Sequence, residues 1–253
     1  MGEIIDHTKV CLGKRFYVHD PRDFHLSTYL PELPKVPTTG DWGKAVKNWG
    51  MDANDRLGDC TCAGVDHTLK VWIDNHGGKY KSTDADVIAM YSAVGGYDPR
   101  HPETDSGANL IDCLKYWQKT GFLGHKIDAY VKVDATNLSR VRAALYLFGA
   151  LYSGVGLPLT AQGQDIWTVT NPNGSSGQPY SWGGHCVVLT AWDQKGFTCA
   201  TWGTTQKMDN AFLGTYFDEL WACVSLDWFT AQHLTPAGFK YGQLMADLKA
   251  VQT

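Results

Sequence analysis

Long apolar runs are missing from this sequence, and so are charged runs that would indicate particular partners. No stretch approaches the roughly 20 apolar residues that a membrane-spanning helix needs. Charges interrupt the N-terminal stretch, so we expect no secretory signal peptide, and Asp6 departs from the myristoylation pattern. The formal net charge is −4 and no basic run is present. Nucleic acid and anionic membranes are therefore not expected as partners.

A regular cysteine framework is missing too. The seven cysteines form an odd number, and apart from Cys60 and Cys62 they lie far apart, mostly in apolar surroundings. This distribution is typical of free thiols in a reducing compartment rather than of disulfides, so we expect a soluble protein that is cytoplasmic or virion-associated. Aromatic residues are abundant instead, with ten tryptophans and twelve tyrosines. They indicate aromatic packing or a surface for protein–protein assembly.

Turn-forming residues and helical patterns divide the chain into two regions. Residues 1–48 are rich in proline and predict an extended arm, with Trp42 and Trp49 as anchors. Residues 49–253 predict one domain, because no flexible linker interrupts them. Its predicted parts are a helical lobe at about 49–148, a β lobe at about 149–225 and a C-terminal extension at 226–253. Since helices come first and strands after, the expected fold class is α+β.

Hydrophobic periodicity and capping residues predict the individual elements of that domain. Four helices are expected, from near Gly58 to about Asn75 and in "STDADVIAMYSAVGG", "SGANLIDCLKYWQKTG" and "NLSRVRAALYLFG". Three short β-rich runs follow, "LYSGVGLPL", "GGHCVVLTAWD" and "GFTCATWG", each bounded by glycine or turn residues. A last helix is expected in "GQLMADLKAV".

The stretch "NDRLGDCTCAGVDHTLKVW" places two cysteines where a turn becomes a helix. At about 100° per residue, Cys62 falls on the apolar stripe of that helix, so we interpret it as a core residue. Cys60 lies off the stripe in the first turn, where unpaired N–H groups and the helix dipole favour a thiolate. Asp55 and Asp59 oppose this by raising the pKa of the thiol. A nucleophilic Cys60 therefore needs a cationic partner, and histidine suits that role.

Among the nine histidines, His185 is the best candidate for this partner. It opens the apolar strand "HCVVLTAW" directly after two glycines, which leave room above a sheet edge. His67 lies on the same helix as Cys60, about two turns further on, and we interpret it as a hydrogen-bonded core histidine. A thiol beside an imidazole base is the arrangement that nucleophilic catalysis by cysteine requires.

Three of these stretches, in this order along the chain, resemble the papain-like cysteine peptidases. "NDRLGDC" resembles the segment that leads into the nucleophile, and "GGHCVVLTAWD" resembles the strand opened by the catalytic histidine. "ATWGTTQ" resembles the Asn-Ser-Trp-Gly segment that follows. The likeness covers about residues 50–215 and looks closer still to uncharacterised papain-fold proteins of bacteria and tailed phages. It implies a helical lobe followed by an antiparallel sheet or barrel.

The resemblance also implies roles for individual residues. Cys60 is the implied nucleophile and His185 the implied base. Asn54 stands where the family has a glutamine, so its amide and the backbone N–H of Cys60 are the implied oxyanion hole.

The residue that would orient the histidine departs from the family pattern. Alignment on the Trp202–Gly203 pair puts Ala200 at this position, and an alanine cannot hold an imidazole. Counting from His185 favours Thr201 instead. A threonine hydroxyl can accept from the imidazole N–H but supplies no charge. The chain is thus either a Cys–His dyad enzyme with a weak orienting residue, or a papain fold with blunted or lost activity.

Two functions follow from these patterns. The first is a thiol hydrolase that cleaves an amide in a peptide or protein and needs no cofactor. The "GDCT…GGH" pair also resembles the CHAP amidases, which would imply peptidoglycan as substrate, although the chain has no basic surface or separate binding module. The second is a non-catalytic structural or interaction protein on the papain fold, such as a phage virion component. The arm and the abundant aromatic residues fit this alternative.

Metal binding is the third alternative. The side chains that could be drawn as ligands are those of Cys60, Cys62, His185, Cys186 and Cys199. A Cys-x-Cys pair on one helix turns its two sulfurs to opposite sides, and no second closely spaced pair is present. We therefore expect no metal.

Overall fold

The computed structural model describes residues 5–30 and 32–229. The helix predicted in "GQLMADLKAV" lies outside these residues. The described α-helices are α1 (Leu26–Tyr29), α2 (Cys60–Asn75), α3 (Asp84–Gly95), α4 (Leu110–Lys119), α5 (Leu138–Phe148) and α6 (Asn210–Tyr216). The described strands are β1 (Gly40–Asp41), β2 (Ala129–Lys132), β3 (Leu151–Leu157), β4 (Ile166–Trp167), β5 (Gly183–Trp192), β6 (Gly196–Thr201), β7 (Thr204–Asp209) and β8 (Phe217–Val224).

The four predicted helices are confirmed as α2 to α5, and local signals explain where they begin and end. Thr83 and Asp86 form a reciprocal capping box at the start of α3, and the left-handed Gly96 ends it. Asn137 caps α5 by accepting a hydrogen bond from the backbone N–H of Arg140. The apolar side chains on one face of α4, including Trp117, are buried.

The strands form one open sheet in the order β2-β8-β3-β5-β6-β7-β4, with β1 paired to the far end of β5. Every pair is antiparallel except β4 with β7. The three predicted β-rich runs are confirmed as β3, β5 and β6. Helices in the first half and a mainly antiparallel sheet in the second confirm the α+β class. Of the two expected forms, sheet or barrel, the described residues form the open sheet.

Helix α2 is the central element of the fold. It packs against α3 and α4 on one side and against β5 on the other, so nearly all of its side chains are buried. Trp72 stacks on Trp117 with a ring separation of 5.5 Å, and its indole N–H donates to the Phe148 carbonyl at 2.8 Å. Cys62 is fully buried, which confirms it as a core residue. All seven cysteines are free thiols.

The described residues of the predicted arm, 5–30 and 32–48, are tied to the rest of the described chain at several points. Trp42 donates its indole N–H to the Leu145 carbonyl at 2.9 Å. Gly40 and Asp41 of the arm form β1 and pair with Trp192 and Ala191 at the end of β5. Among the residues that the structure describes, no helix is both long enough and apolar enough to cross a membrane.

Candidate active site

Cys60 is the first residue of α2, as the sequence predicts. Its side chain is buried at 1 % exposure. Burial raises the pKa of the thiol to about 12, and the negative charge of Asp59 adds to the rise. The backbone N–H groups of Cys186 and Gly13 lie near the sulfur and pull its pKa downward. The thiol is therefore protonated at neutral pH in this state of the molecule.

His185 is the third residue of β5, and its two ring nitrogens have different surroundings. Nε2 lies 2.7 Å from the hydroxyl oxygen of Thr201, the last residue of β6. Nδ1 is buried, and no hydrogen-bond partner for it occurs within the described part of the chain. Burial lowers the pKa of His185 to about 3. A neutral imidazole follows, which is the form that can accept a proton.

Trp202 covers the face of this imidazole. Its indole stacks on the His185 ring with centroids 4.2 Å apart and planes inclined by 16°. Trp202 has a positive φ of 45°, a conformation that is uncommon for a bulky residue and typical of constrained positions. The backbone therefore holds the indole against the histidine, where it shields the ring from water.

Of the two positions considered for the orienting residue, Thr201 lies within hydrogen-bond distance of the imidazole of His185. The backbone N–H of Cys186, the residue after His185, lies near the Cys60 sulfur. Among the described residues no hydrogen bond joins that sulfur to the imidazole of His185. Helix α2 thus presents its first residue to the strand that carries His185.

Asn54 lies in the turn before α2 and is buried at 2 % exposure. Its side-chain amide donates to the Leu57 carbonyl at 2.9 Å, which holds the turn in shape. Its role as an oxyanion donor stays a prediction. His67 lies 3.1 Å from a carboxylate oxygen of Asp52 and 3.2 Å from the Gly50 carbonyl, which confirms it as a hydrogen-bonded core histidine.

Asp59 directly precedes Cys60 and helix α2. It occupies the N-cap position of α2, but its side chain makes no capping hydrogen bond. Burial raises the pKa of its carboxyl group to about 8, although its own backbone N–H and the Asn54 amide moderate the rise. At neutral pH the carboxyl group is therefore mainly protonated, and the charge that would oppose a Cys60 thiolate is reduced.

Residues of the arm also lie near Cys60, and the sequence of the arm does not indicate this. Residues Cys11–Arg15, here called the cleft segment, lie in a groove beside Cys60. The Cys11 N–H donates to the Asn54 carbonyl at 2.9 Å. The Cys11 carbonyl accepts from the Trp202 indole at 3.2 Å. The cleft segment therefore bridges the turn before α2 and the residue that covers His185.

Further along, the cleft segment pairs with both walls of the groove. The Ala108 N–H donates to the Gly13 carbonyl at 2.9 Å, and the Arg15 N–H donates to the Ala108 carbonyl at 3.1 Å. On the opposite wall, the Lys14 N–H donates to the carbonyl of Gly184 at 3.1 Å. Gly184 immediately precedes His185, so an extended peptide backbone in this groove lies beside the candidate catalytic residues.

Glycines make the groove wide enough for a peptide backbone. A Cβ on Gly13 would lie 1.8 Å from the Gly58 carbonyl oxygen. A Cβ on Gly107 would lie 2.0 Å from the Gly13 oxygen, and one on Gly184 would lie 2.2 Å from the Lys14 oxygen. These distances are too short for any residue with a Cβ. The three glycines, although distant in sequence, therefore all allow the backbone of the cleft segment to pack closely against the groove.

The residues around this site contain no grouping that suits a metal. Within residues 5–30 and 32–229, no three His, Cys, Asp or Glu side chains converge as metal ligands. Cys62 and Cys199, two of the conceivable ligands, are fully buried in the core.

Comparison with known proteins identifies structural neighbours. No protein-family model matches the chain, and no curated protein sequence does. Among solved structures, xylellain, a cysteine protease from Xylella fastidiosa, superposes with a TM-score of 0.61 at 16 % identity. The match covers 86 % of this chain and 97 % of xylellain.

Two further neighbours are cysteine proteases of other organisms. The protease and lectin-like domains of Cwp84 from Clostridium difficile match with a TM-score of 0.58 at 13 % identity, over 87 % of this chain and 56 % of that one. The ragweed pollen protease Amb a 11, in its proform, matches with a TM-score of 0.56 at 14 % identity, over 78 % and 67 % of the two chains. The helix-then-sheet order and these superpositions agree with the sequence resemblance. The chain has a papain-like fold.

Proposed function

We propose that this chain is a cysteine peptidase or related amide hydrolase that acts on peptides or proteins. Cys60 is the nucleophile, His185 the base, and Thr201 the positioning residue for the imidazole. The observation that carries the proposal is the pair of environments around His185. Nε2 is held by Thr201, whereas the buried Nδ1 is left for a reacting group. The protease names of the structural neighbours support the same activity.

The proposed reaction begins with proton transfer from the Cys60 thiol to Nδ1 of His185. The thiolate attacks the amide carbonyl carbon, and the C–N bond breaks as the imidazolium protonates the leaving amine. Water then hydrolyses the thioester, with His185 as base. During the imidazolium stage the Nε2–H must donate, and the Thr201 hydroxyl oxygen is the acceptor. A hydroxyl carries no charge, so it stabilises the imidazolium less than a carboxylate would.

The proposed oxyanion hole combines the backbone N–H of Cys60 with the side-chain amide of Asn54. The Cys60 N–H lies in the first turn of α2, where intrahelical acceptors are missing. Asn54 already donates one N–H to Leu57, and its amide also lies beside the Asp59 carboxyl group. The assignment to the oxyanion therefore requires the second N–H to turn away from Asp59. Loss of one such donor typically lowers the rate by about 10²–10³.

A non-catalytic papain-fold protein, such as a phage virion component, is the second candidate. One observation favours it: with the cleft segment in place, burial leaves both the thiol and the imidazole neutral. The enzyme proposal instead requires that displacement of the arm hydrates the site and allows the thiolate to form. The division of the chain into an arm at 1–48 and a domain at 49–253 belongs to this proposal.

Alkylation by iodoacetamide at neutral pH, followed by peptide mass spectrometry, distinguishes the two candidates. The background is Gly13→Ala, because the added Cβ would clash with the Gly58 carbonyl and displace the cleft segment. We expect Cys60 to react much faster than the other cysteines, and His185→Ala to remove this advantage. Cys62→Ala is the matched control and should leave Cys60 labelling unchanged. Equal, slow labelling of all thiols would favour the non-catalytic candidate.

A further inference from the structure

The side chain of Lys14 is fully buried, which is exceptional for a lysine in an N-terminal arm. Its ammonium nitrogen lies 3.0 Å from a carboxylate oxygen of Asp218 and 3.2 Å from one of Glu219. It also donates to the Tyr180 hydroxyl at 2.8 Å and to the Arg15 carbonyl at 3.2 Å. All three ammonium hydrogens thus have acceptors nearby, as a buried cation requires.

These acceptors belong to a pocket that the sheet builds for a long side chain. The lysine pocket consists of Gly154 on β3, Tyr180 before β5, and Asp218 and Glu219 on β8. A Cβ on Gly154 would lie 2.1 Å from Cε of Lys14, so the glycine gives room to the aliphatic stem in its present position. Tyr180 also donates its hydroxyl to Asp218. The positions of the two carboxylates are therefore set by β8 and by Tyr180, and not by Lys14 alone.

The charge of the pocket requires a cationic occupant. Glu219 is almost fully buried, and its second carboxylate oxygen accepts from the Trp221 indole at 3.1 Å. Burial raises the pKa of Glu219, while the charge of Lys14 lowers it in part. For Lys14, burial alone would lower the pKa, but Glu219 and Asp218 outweigh it and keep the pKa above its usual value. Two carboxylates facing one ammonium leave the pocket negative without a cation.

The pocket lies at a fixed distance along the groove from the candidate nucleophile. Lys14 bonds through its backbone to Gly184, the neighbour of His185. The preceding residue, Gly13, has its N–H near the Cys60 sulfur. A peptide backbone in this groove with a side chain in the lysine pocket therefore passes directly by Cys60.

We propose that the lysine pocket is the specificity site of this enzyme and selects a lysine or arginine side chain of the peptide substrate. Lys14 of the arm occupies the pocket as an internal competitor, so substrate enters only when the cleft segment leaves. This inference rests on the proposed peptidase function for cleavage, but not for binding.

The cleft segment itself is presented as a blocker rather than as a substrate. The backbone N–H of Gly13 lies near the Cys60 sulfur. The Gly13 carbonyl is turned to the other wall, where Ala108 donates to it. Occupancy of the groove by the arm is thus compatible with an intact peptide bond next to the thiol.

Hydrolysis is the first test, with fluorogenic peptides that differ only in one residue, lysine, arginine or the uncharged isostere norleucine. The enzyme is full-length Gly13→Ala. We expect kcat/KM to be about 100-fold higher for the basic peptides, and Glu219→Gln to remove most of this preference. Glu103→Gln, an exposed carboxylate elsewhere, is the matched control and should retain it. Hydrolysis without a basic preference would overturn the specificity inference while leaving the peptidase function intact.

Binding is the second test and decides the case in which no peptide is hydrolysed. The host is the full-length Gly13→Ala/Lys14→Ala variant, whose pocket lacks its internal occupant. The probes are peptides of residues 9–17 with serine at position 11 and either lysine or norleucine at position 14, followed by fluorescence anisotropy. Selective binding of the lysine peptide supports the inference even if the peptidase function fails. Equal binding, or no binding of either peptide, overturns it.

Thermal unfolding of each variant accompanies both tests. Glu219 also accepts from Trp221, so Glu219→Gln could disturb β8. If that variant does not fold, Asp218→Asn replaces it, since Asp218 is partly exposed and equally close to Lys14. In this variant we expect the preference for basic peptides to fall at least about tenfold, and an unchanged preference would contradict the inference.

Discussion

The side chain that Thr201 places beside His185 is a neutral hydroxyl. The strength of this one hydrogen bond limits how firmly the imidazole is oriented. The contact of 2.7 Å satisfies Nε2, and Trp202 closes the face of the ring. Orientation is therefore supplied mainly by packing and one hydrogen bond. A catalytic imidazolium would feel the loss of that bond more than a neutral imidazole would, because bonds to charged groups are stronger.

The substitution Thr201→Val tests this dependence. Valine keeps the shape of the side chain but leaves the Nε2–H of a forming imidazolium without an acceptor, which costs about 1–3 kcal/mol. We expect the alkylation rate of Cys60 at neutral pH, measured in the Gly13→Ala background, to fall about tenfold or more. Thr198→Val, on the same strand, is the control and should have little effect. An unchanged rate would show that Thr201 does not position His185.

Sequence reasoning locates the candidate residues better than it describes their state. The helix start at Cys60 and the strand start at His185 are local patterns, so both could be predicted. The choice between Ala200 and Thr201 could not, because it depends on which side chain of β6 faces the imidazole. The raised pKa of Asp59 and the lowered pKa of His185 arise from burial by distant segments. No local pattern reports such burial.

Among the elements, the arm has a role that depends on glycines in other elements. Gly58, Gly107 and Gly184 come from three separate parts of the chain. A Cβ on Gly107 or Gly184 would lie within 2.2 Å of a backbone oxygen of the cleft segment, and the Gly58 carbonyl oxygen would lie 1.8 Å from a Cβ on Gly13. The sequence predicts that the arm is extended, since it is rich in proline and turn residues. It does not predict the route, because the three glycines have no spacing in common.

The substitution Gly13→Ala tests whether the cleft segment covers the site. Its Cβ would meet the Gly58 carbonyl oxygen at 1.8 Å, so the segment must leave its place. We expect trypsin to cut after Lys14 and Arg15 much faster than in the wild-type protein, where the Lys14 side chain is buried. Lys9→Ala, which changes an exposed lysine of the same arm, is the control. If trypsin cuts the wild-type protein after Lys14 and Arg15 as fast as it cuts Gly13→Ala, the cleft segment is already accessible in the wild type.

Strand β8 shows where element prediction fails and why. In its sequence "FDELWACV" two acidic residues follow the first position, and such a pair usually indicates a solvated turn. Here both acidic residues belong to a strand, because Asp218 and Glu219 contact Lys14 and form part of the lysine pocket. Strand β7 was also missed, because its alternation is short and half polar. Local rules are expected to fail at sites built for a ligand.

For the molecule as a whole, the two perturbed groups near Cys60 give opposite dependences of stability on pH. The Asp59 carboxyl keeps its proton to about pH 8 in the folded state, whereas the unfolded chain loses it near 3.8. The folded state then binds more protons, so stability falls as pH rises through this range. His185 has a folded pKa of about 3 against 6.5 when unfolded, so its contribution rises with pH up to 6.5.

The substitution Asp59→Asn isolates the first dependence between pH 6.5 and pH 8, where the contribution of His185 changes by less than about 0.5 kcal/mol. We expect the wild-type free energy of unfolding to fall by about 1–2 kcal/mol across this interval. The variant should lose much less, because asparagine does not ionise. Urea unfolding at both pH values measures the difference. Asp55→Asn, a more exposed neighbour, should behave as the wild type, and a variant as pH-dependent as the wild type would contradict the pKa shift of Asp59.

The α+β class, the order of helices and strands and four of the helices follow from periodicity, caps and glycines, all of which are local. The sheet order does not follow, because β3 lies between β5 and β8 and β2 lies at one edge. Such pairing is decided by long-range burial. The sequence motifs supply the missing information only through resemblance, which agrees with the fold found in the superpositions.

Pairing of Gly40 and Asp41 with β5 ties the arm to the same strand that carries His185. Whenever the cleft segment leaves the groove, it therefore stays tethered within reach, and its return is a unimolecular event. The local concentration of such a tethered occupant is on the order of millimolar. Dilution of the protein will not relieve the blockade, so only severing the tether or a stronger competitor for the groove can release the site for many turnovers.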